Sequence, residues 1–119
     1  MAKKDASKPS ETQIQNAVVK WCELQGVPIF AIPNGGFRKP REAAILRFQG
    51  VRAGVPDLFI PVVKLPYGGL FIEMKTPEGK VSLHQKEWIA MLKEQYAVSV
   101  CRSLDDAIGV IRNYLGVIQ

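Results

Sequence analysis

The chain of 119 residues carries 16 Lys and Arg against 11 Asp and Glu, for a formal net charge of +5, and 47% of its residues are hydrophobic. That length fits one domain with a real core, without room for a separate targeting module. No apolar stretch approaches membrane-spanning length and no hydrophobic signal region begins the chain, so we expect a cytoplasmic protein, not a membrane protein, with a surface suited to a polyanion.

The N-terminal residues predict an arm followed by a helix. Residues 1–9 are polar, contain Lys and lack apolar periodicity, which is typical of a flexible basic arm ahead of a domain over residues 10–119. Ser10 and Gln13 have the spacing of a capping box. We expect the helix to end near Gly26, with an apolar stripe of Ile14, Ala17, Val18, Trp21 and Cys22.

Glu11 is a polar residue directed toward this apolar stripe. It precedes Ile14 by three residues and Val18 by seven, which places it near the core-facing side of the helix. Two interpretations remain open from the residues alone. Glu11 either reaches a functional site, directly or through water, or is a first-turn Glu that the helix dipole favours.

A strand near residues 27–32 and a short helix over residues 40–49 follow, in a strongly basic part of the chain. The helix has a partly apolar side and ends before Gly50. Its cations and the neighbouring glycines favour contact with a phosphate backbone, which positions a nucleic acid without reading its bases. The alternative is a solvated helix face. The candidate DNA-binding residues are Asn34, Gly35, Arg38, Lys39, Arg41, Arg47 and Arg52.

A β-hairpin is predicted in the middle of the chain. Residues 58–63 and 69–72 are strand-like apolar runs, and the turn-rich residues 64–68 separate them. Asp57 immediately precedes the first run, behind a Pro. Glu73 immediately follows the second run, so pairing of the strands can bring the two carboxylates together.

The hairpin also places a lysine beside these carboxylates. Because side chains alternate along a strand, Glu73 and Lys75 share one face while Met74 points to the other. Carboxylate oxygens suit a hard divalent cation such as Mg²⁺, which takes one or two carboxylates and keeps several waters. Asp57 and Glu73 meet that need, and Lys75 orients a water or stabilises negative charge. The chemistry implied is phosphodiester hydrolysis.

The Glu-x-Lys triplet is a weak signal by itself, because it occurs again at residues 78–80. The second copy follows Pro77 and contains a glycine, so we assign it to a turn and discard it. The alternative for Glu73 and Lys75 is a solvated cross-strand ion pair, and for Asp57 a turn residue. Only the combination with other polar residues favours a site.

Ser82 and Gln85 have the spacing of a second capping box. They open a helix whose stripe contains Gln85 together with Trp88, Ile89 and Leu92. The amide of Gln85 either holds an attacking water or a phosphate near Lys75, or only bonds the backbone of Ser82. His84 neighbours the stripe without belonging to it, and we assign it no catalytic role.

The last part of the chain predicts a strand near residues 97–100 and a helix over residues 104–115. The apolar tail at residues 116–119 either packs within the monomer or joins a dimer interface. Cys22 and Cys101 lack the paired spacing of a zinc or redox motif and are typical of reduced core thiols. The expected fold is a compact α/β domain with the order α-β-α-β-β-α-β-α.

These residues together resemble the VRR-NUC domain, the virus-type replication-repair branch of the PD-(D/E)xK nuclease superfamily, in its standalone phage and bacterial form. The similarity runs from about Ser10 to Leu115. It implies a restriction-endonuclease-like fold, with a small mixed central sheet flanked by helices. The residues that carry it are Glu11, residues 34–36, residues 50–57, residues 73–75 and Gln85.

The resemblance also implies roles for single residues. In that family the counterparts of Asp57 and Glu73 bind Mg²⁺, for which Mn²⁺ substitutes, together with the backbone carbonyl of the residue equivalent to Met74. The resemblance also implies that Lys75 is catalytic and that Glu11 and Gln85 complete the site. Glu11 would act either directly on the metal or through water. Standalone members look like homodimers that cut branched DNA, including four-way junctions, in a bacterial or phage-infected cytoplasm.

Two rival hypotheses remain. The first is a non-catalytic module that binds DNA junctions through the basic segment and keeps the carboxylates as a charge-balanced structural pair. The second is a nuclease that acts on ordinary duplex, flap or single-stranded substrates, or on RNA. Junction binding without metal-dependent turnover distinguishes the first, and a comparison of substrates distinguishes the second.

Overall fold

The computed structural model describes residues 8–34 and 39–116. In this part of the chain the predicted order of helices and strands is confirmed, and the fold is an α/β domain. The elements are α1 (Glu11–Gln25), β1 (Phe30–Ala31), α2 (Pro40–Phe48), β2 (Leu58–Ile60), β3 (Leu70–Met74), α3 (Leu83–Leu92), β4 (Ala97–Cys101) and α4 (Leu104–Leu115).

The strands form one mixed sheet in the order β1-β2-β3-β4. Strand β2 pairs antiparallel with both β1 and β3, whereas β4 pairs parallel with β3. A parallel pair needs a crossover connection, and α3 supplies it. In the predicted hairpin of β2 and β3, Leu58 lies opposite Ile72. Asp57 and Glu73, one residue further out, therefore meet at the same end of the sheet.

The two faces of the sheet have different environments. One face packs against α1 and α4 and forms the hydrophobic core, to which β3 contributes Leu70, Ile72 and Met74. Because side chains alternate, Phe71 and Glu73 point to the opposite face. There the ring of Phe71 lies 5.2 Å from that of Tyr96, between centroids. The candidate site thus lies on the sheet face turned away from the main core.

Local signals set the helix ends. Ser10 and Ser82 both form the predicted capping boxes, each closed by the Gln three residues later. Helix α1 ends at Gly26, whose φ of 72° lies in the left-handed region that glycine tolerates without a Cβ clash. The predicted bounds of α4, residues 104–115, match the structure.

Two predicted strands are shorter than expected. Only Phe30–Ala31 of residues 27–32 forms a strand, because the chain leaves α1 through a helix cap in which the Val27 amide bonds the Cys22 carbonyl at 2.8 Å. Val27 and Ile29 pack on the core without strand partners. Strand β2 ends at Ile60, because the Val62 amide turns back to the Ile60 carbonyl at 2.9 Å. Apolar character alone does not distinguish such segments from strands.

The ends of the chain and the thiols complete the fold. Of the predicted basic arm, residues 1–7 lie outside the described residues, as do residues 117–119 of the apolar tail. Cys22 and Cys101 are free and buried, as expected for core thiols, and burial raises their pKa to about 11 and about 12. Among the described residues, no helix is long and apolar enough to cross a membrane.

Candidate active site

Asp57 is held at the end of the sheet by two donors from different elements. Its Oδ2 accepts a hydrogen bond from the backbone amide of Met74, at 2.7 Å. Its Oδ1 accepts one from the side-chain amide of Asn34, at 2.9 Å. The same Asn34 nitrogen also donates to the carbonyl of Val55, at 3.2 Å. The carboxylate is therefore fixed both across the hairpin and by the loop after β1.

Glu73 is almost completely buried, with 1% of its surface exposed. Its Oε2 accepts a hydrogen bond of 3.0 Å from Nε2 of Gln85 and lies 3.8 Å from Nζ of Lys75. Within the described chain, its Oε1 has no hydrogen-bond partner. An unpartnered carboxylate oxygen at this depth is costly, and a cation would offset that cost.

Several ionisable side chains interact electrostatically at this site. The pKa of Glu73 is raised to about 8, first by burial and then by the negative charges of Asp57 and Glu11, while the charge of Lys75 opposes the shift. The pKa of Glu11 is also raised, first by desolvation of its carboxyl group and then by the negative charge of Asp57, whereas the charge of Lys75 lowers it. The side chain of Lys75 is only 11% exposed. Three carboxylates thus act on one another around one shielded ammonium.

The two helix-borne residues of the predicted site reach it from capped first turns. Glu11 opens α1 directly after Ser10 and is exposed at the surface, yet its carboxylate interacts electrostatically with Asp57. Gln85 forms the cap that was one of its two predicted alternatives, and it also bonds Glu73, a contact that the sequence did not predict. Its Oε1 accepts the Ser82 amide at 2.7 Å, while its Nε2 reaches Glu73. His84, assigned no catalytic role, is exposed in the same turn.

A close approach of two backbones brings α3 to this site. Gly54 has a φ of +94°, and a Cβ at this position would lie 2.8 Å from the carbonyl carbon of His84. Only glycine fits both the conformation and the space. Asp57 follows three residues later and Gln85 directly follows His84, so this contact joins the two halves of the site.

Arg102 is a supporting residue that the sequence did not indicate. Its Nη1 donates to three carbonyls of the loop after Lys75, those of Thr76, Pro77 and Gly79, at 2.9, 3.2 and 2.6 Å. The backbone amide of Lys75 itself bonds the Cys101 carbonyl at 3.0 Å. The acceptors are all backbone atoms, so no residue pattern signals this clamp.

The predicted DNA-binding residues fall into three groups. Asn34 lies at the carboxylates and bonds Asp57. Gly35 and Arg38 lie outside the described residues. The rest are exposed on α2 or beside it, namely Lys39, Arg41, Arg47 and Arg52. The structure therefore brings together the predicted metal and catalytic residues, whereas these four basic residues lie on or beside α2.

The carboxylates at the site can supply only some of the ligands that a hard cation needs. Over residues 8–34 and 39–116, no three His, Cys, Asp or Glu side chains are arranged to hold a metal ion. Two carboxylates, one with an orphaned oxygen, nevertheless match Mg²⁺, which takes one or two carboxylates and completes its shell with waters and substrate phosphates. The arrangement suits a phosphate-bearing substrate.

Comparisons with known proteins find similarity to one family of domains. The family model described as the VRR-NUC domain matches residues 9–105. A solved structure titled "VRR_NUC domain protein" is 31% identical, with 94% of this chain and 93% of that chain covered and a TM-score of 0.78. A second, titled "VRR_NUC domain", is 22% identical with a TM-score of 0.59, over 89% of this chain and 99% of that one, and supports the fold. A search of curated proteins found no match.

Proposed function

The chain belongs to the VRR-NUC family of nuclease domains, and on this premise we propose that it is a divalent-metal-dependent DNA endonuclease that cuts branched DNA as a homodimer. The observation that carries the proposal is Glu73, a buried carboxylate with an orphaned oxygen, set beside Asp57 and Lys75. Four-way junctions are the substrate we favour, in a bacterial or phage-infected cytoplasm.

Asp57 and Glu73 are the proposed metal ligands, with the backbone carbonyl of Met74 as a third. Glu11 is proposed to join through water, because in the described part of the chain it does not form a three-carboxylate metal site with them. Mg²⁺ is the proposed cofactor and Mn²⁺ its substitute. When bound, such a cation offsets the charge that develops on a scissile phosphate and makes water more acidic. Asp57 is suited to this role because its orientation is fixed before any ligand arrives.

The chain's own residues then perform positioning and charge stabilisation. Lys75 is shielded from solvent, where an ammonium stabilises developing negative charge more strongly than it does in water. Its proposed role is to orient the attacking water or to neutralise the phosphate oxygens as the P–O bond breaks. Gln85 holds Glu73 in place, and Arg102 fixes the loop that follows Lys75.

Substrate selectivity is proposed to come from the basic residues of α2. Residues 39–52 carry four cations, Lys39, Arg41, Arg47 and Arg52, against one acid, Glu42. Contacts of this kind go to phosphates and recognise the path of the backbone rather than a base sequence. In a homodimer, two active sites related by a twofold axis match two opposed strands of a symmetric junction.

A substrate comparison tests this proposal. Wild type and Asp57→Asn are each incubated in Mg²⁺ with labelled DNA of shared sequence, in the form of a four-way junction, a flap, a linear duplex or single strands. The mass of the protein in solution is measured separately by light scattering. We expect cleavage of the junction first, loss of cleavage in Asp57→Asn, and a dimeric mass. Equal cutting of all substrates would contradict the selectivity, and binding without cutting would favour an architectural module.

A further inference from the structure

Helix α2 presents an aromatic side chain to solvent among cations. Phe48 is 94% exposed and Ile45 is 52% exposed. None of the nine residues of α2, all of which lie in the described part of the chain, is buried. The apolar side of this helix therefore does not serve the core of the domain, and its exposure requires another explanation.

Arginines stand directly beside Phe48. Arg47 and Phe48 follow Ala44 by three and four residues, so both lie beside Ala44 on one side of the helix. With Arg52 they line a groove of about 370 Å³, which is at the small end of the range of ligand sites. The Nη1 of Arg52 is anchored to the Arg47 carbonyl at 2.7 Å, which holds the guanidinium in place beside the helix.

From this arrangement we propose that Phe48 stacks on an unpaired nucleobase of DNA while Arg47 and Arg52 hold the flanking phosphates. A flat ring surrounded by cations matches the two parts of a nucleotide, a π-face and a phosphate. A second copy of this chain fits less well, because a twofold contact of α2 with itself brings the same arginines toward each other.

The position of Phe48 along the chain suits the active site. Asp57 lies nine positions after Phe48 in the sequence. Because an extended chain spans at most about 3.6 Å per residue, the two lie within about 32 Å of each other. The separation is therefore less than one turn of duplex DNA, about 34 Å. An unpaired base next to a branch can therefore contact Phe48 while the same DNA enters the site.

This inference rests on the proposed DNA substrate but not on cleavage, so it is tested in EDTA. The probe is a fluorescent duplex with one unpaired base, compared with the same duplex fully paired, and binding is followed by anisotropy. The variants are Phe48→Ala, Phe48→Tyr and, as a matched control, Leu24→Ala. Leu24 is another exposed apolar helix residue, at 72% exposure, on α1 and remote from α2 in sequence.

The expected loss is specific in three respects. Phe48→Ala weakens binding to the unpaired-base duplex by roughly 5- to 100-fold, the size of one base–aromatic stack, and changes binding to the paired duplex less than about twofold. Phe48→Tyr and Leu24→Ala bind like the wild type. The salt dependence of binding stays unchanged in Phe48→Ala but becomes shallower in Arg47→Ala and Arg52→Ala, because only the arginines displace counterions.

Several results would overturn the inference. Equal affinity of Phe48→Ala and wild type for the unpaired-base duplex would remove the stacking role. An equal loss for both duplexes would assign Phe48 to general DNA contact. A lower mass of Phe48→Ala in light scattering would assign it to contact between copies. None of these results depends on catalysis, so an inactive protein would leave the test intact.

Discussion

The side-chain amide of Gln85 donates a 3.0 Å hydrogen bond to Oε2 of the buried Glu73. The oxygen of the same amide accepts the backbone N–H of Ser82 at 2.7 Å. One side chain therefore closes the capping box of α3 and also holds a candidate metal ligand. The start of the helix and the orientation of the carboxylate are fixed by the same group.

Two substitutions of Gln85 separate these roles. Glu is also a capping-box residue, so Gln85→Glu keeps the cap but replaces the donor to Glu73 by a second carboxylate. We expect Gln85→Glu to retain most of the thermal stability while lowering the cleavage rate by about 10- to 100-fold. Gln85→Ala loses the bond to Glu73 and the side-chain half of the capping box, while Ser82 still accepts the backbone N–H of residue 85. We expect it to lower the free energy of unfolding by about 1 kcal/mol. Cleavage by Gln85→Glu at the wild-type rate would show that the bond to Glu73 is dispensable.

The sequence predicts that Asn34 binds DNA, whereas its contact with Asp57 supports a different role. If it positions the carboxylate, Asn34→Ala lowers the cleavage rate by about 10- to 100-fold and raises the Mn²⁺ concentration needed for activity. Its affinity for DNA in EDTA stays within about twofold of wild type. Asn16→Ala, an exposed change on α1, is the control. Weaker DNA binding in EDTA by Asn34→Ala, with an unchanged Mn²⁺ requirement, would instead favour the DNA-binding role.

The pKa of Glu73 leads to a pH dependence of the metal-free protein. The pKa is about 8 in the folded chain against a usual 4.5. The stability contributed by the neutral carboxyl is therefore fully present below pH 4.5 and is lost as the pH rises through about 8. Glu73→Gln stays neutral, so its melting temperature in EDTA should exceed that of wild type by an amount that grows between pH 5 and 8.5.

The stability gain of Glu73→Gln has an upper limit set by the pKa difference. Each unit of pKa difference corresponds to about 1.4 kcal/mol, so the gain reaches about 5 kcal/mol at most. Glu78→Gln removes a carboxylate from the exposed loop after β3 and should leave the pH profile unchanged. Parallel melting profiles for wild type and Glu73→Gln would mean that folding does not raise the pKa of Glu73.

The close approach at Gly54 predicts a position-specific loss. Gly54→Ala adds a Cβ that meets the backbone of His84, in addition to the strain of a positive φ. Gly50 has a similar φ, +100°, and a Cβ added there would meet no atom within 4 Å, so Gly50→Ala measures the φ strain alone. We expect the φ strain alone to lower the free energy of unfolding of both variants by about 1–2 kcal/mol. The additional clash with His84 should make the loss larger in Gly54→Ala.

Activity should follow the same order. Displacing the turn at Gly54 moves Asp57 relative to Gln85, so Gly54→Ala should lose most of its cleavage activity, whereas Gly50→Ala keeps it. Urea unfolding and single-turnover cleavage check the two parts. If the two variants behave alike, the contact between this turn and α3 does not hold the site together.

The parts of the fold that follow from sequence are those set by local chemistry. The capping boxes predict the helix starts at Ser10 and Ser82, and the spacing of apolar residues predicts α4. The meeting of Asp57 and Glu73 follows from the antiparallel pairing of β2 and β3 in the predicted hairpin. Each of these depends on residues close together in the chain.

The parts that do not follow are set by contacts between distant residues. Asn34 and Asp57 are 23 residues apart, and Arg102 bonds carbonyls 23 to 26 residues away. Backbone acceptors carry no residue identity, so the Arg102 clamp leaves no trace in the sequence. The sequence allows Gln85 to be either a cap or a site residue, because it does not show that the two amide atoms face different partners.

The most direct measurement is cleavage of a labelled four-way junction by wild type and Lys75→Ala in Mg²⁺, Mn²⁺ or EDTA, with DNA binding measured on the same samples. We predict metal-dependent cutting by the wild type, none in EDTA, and a loss of cutting in Lys75→Ala while the junction is still bound. Cutting by Lys75→Ala at the wild-type rate, or junction binding by the wild type without cutting in either metal, would contradict the proposed active site.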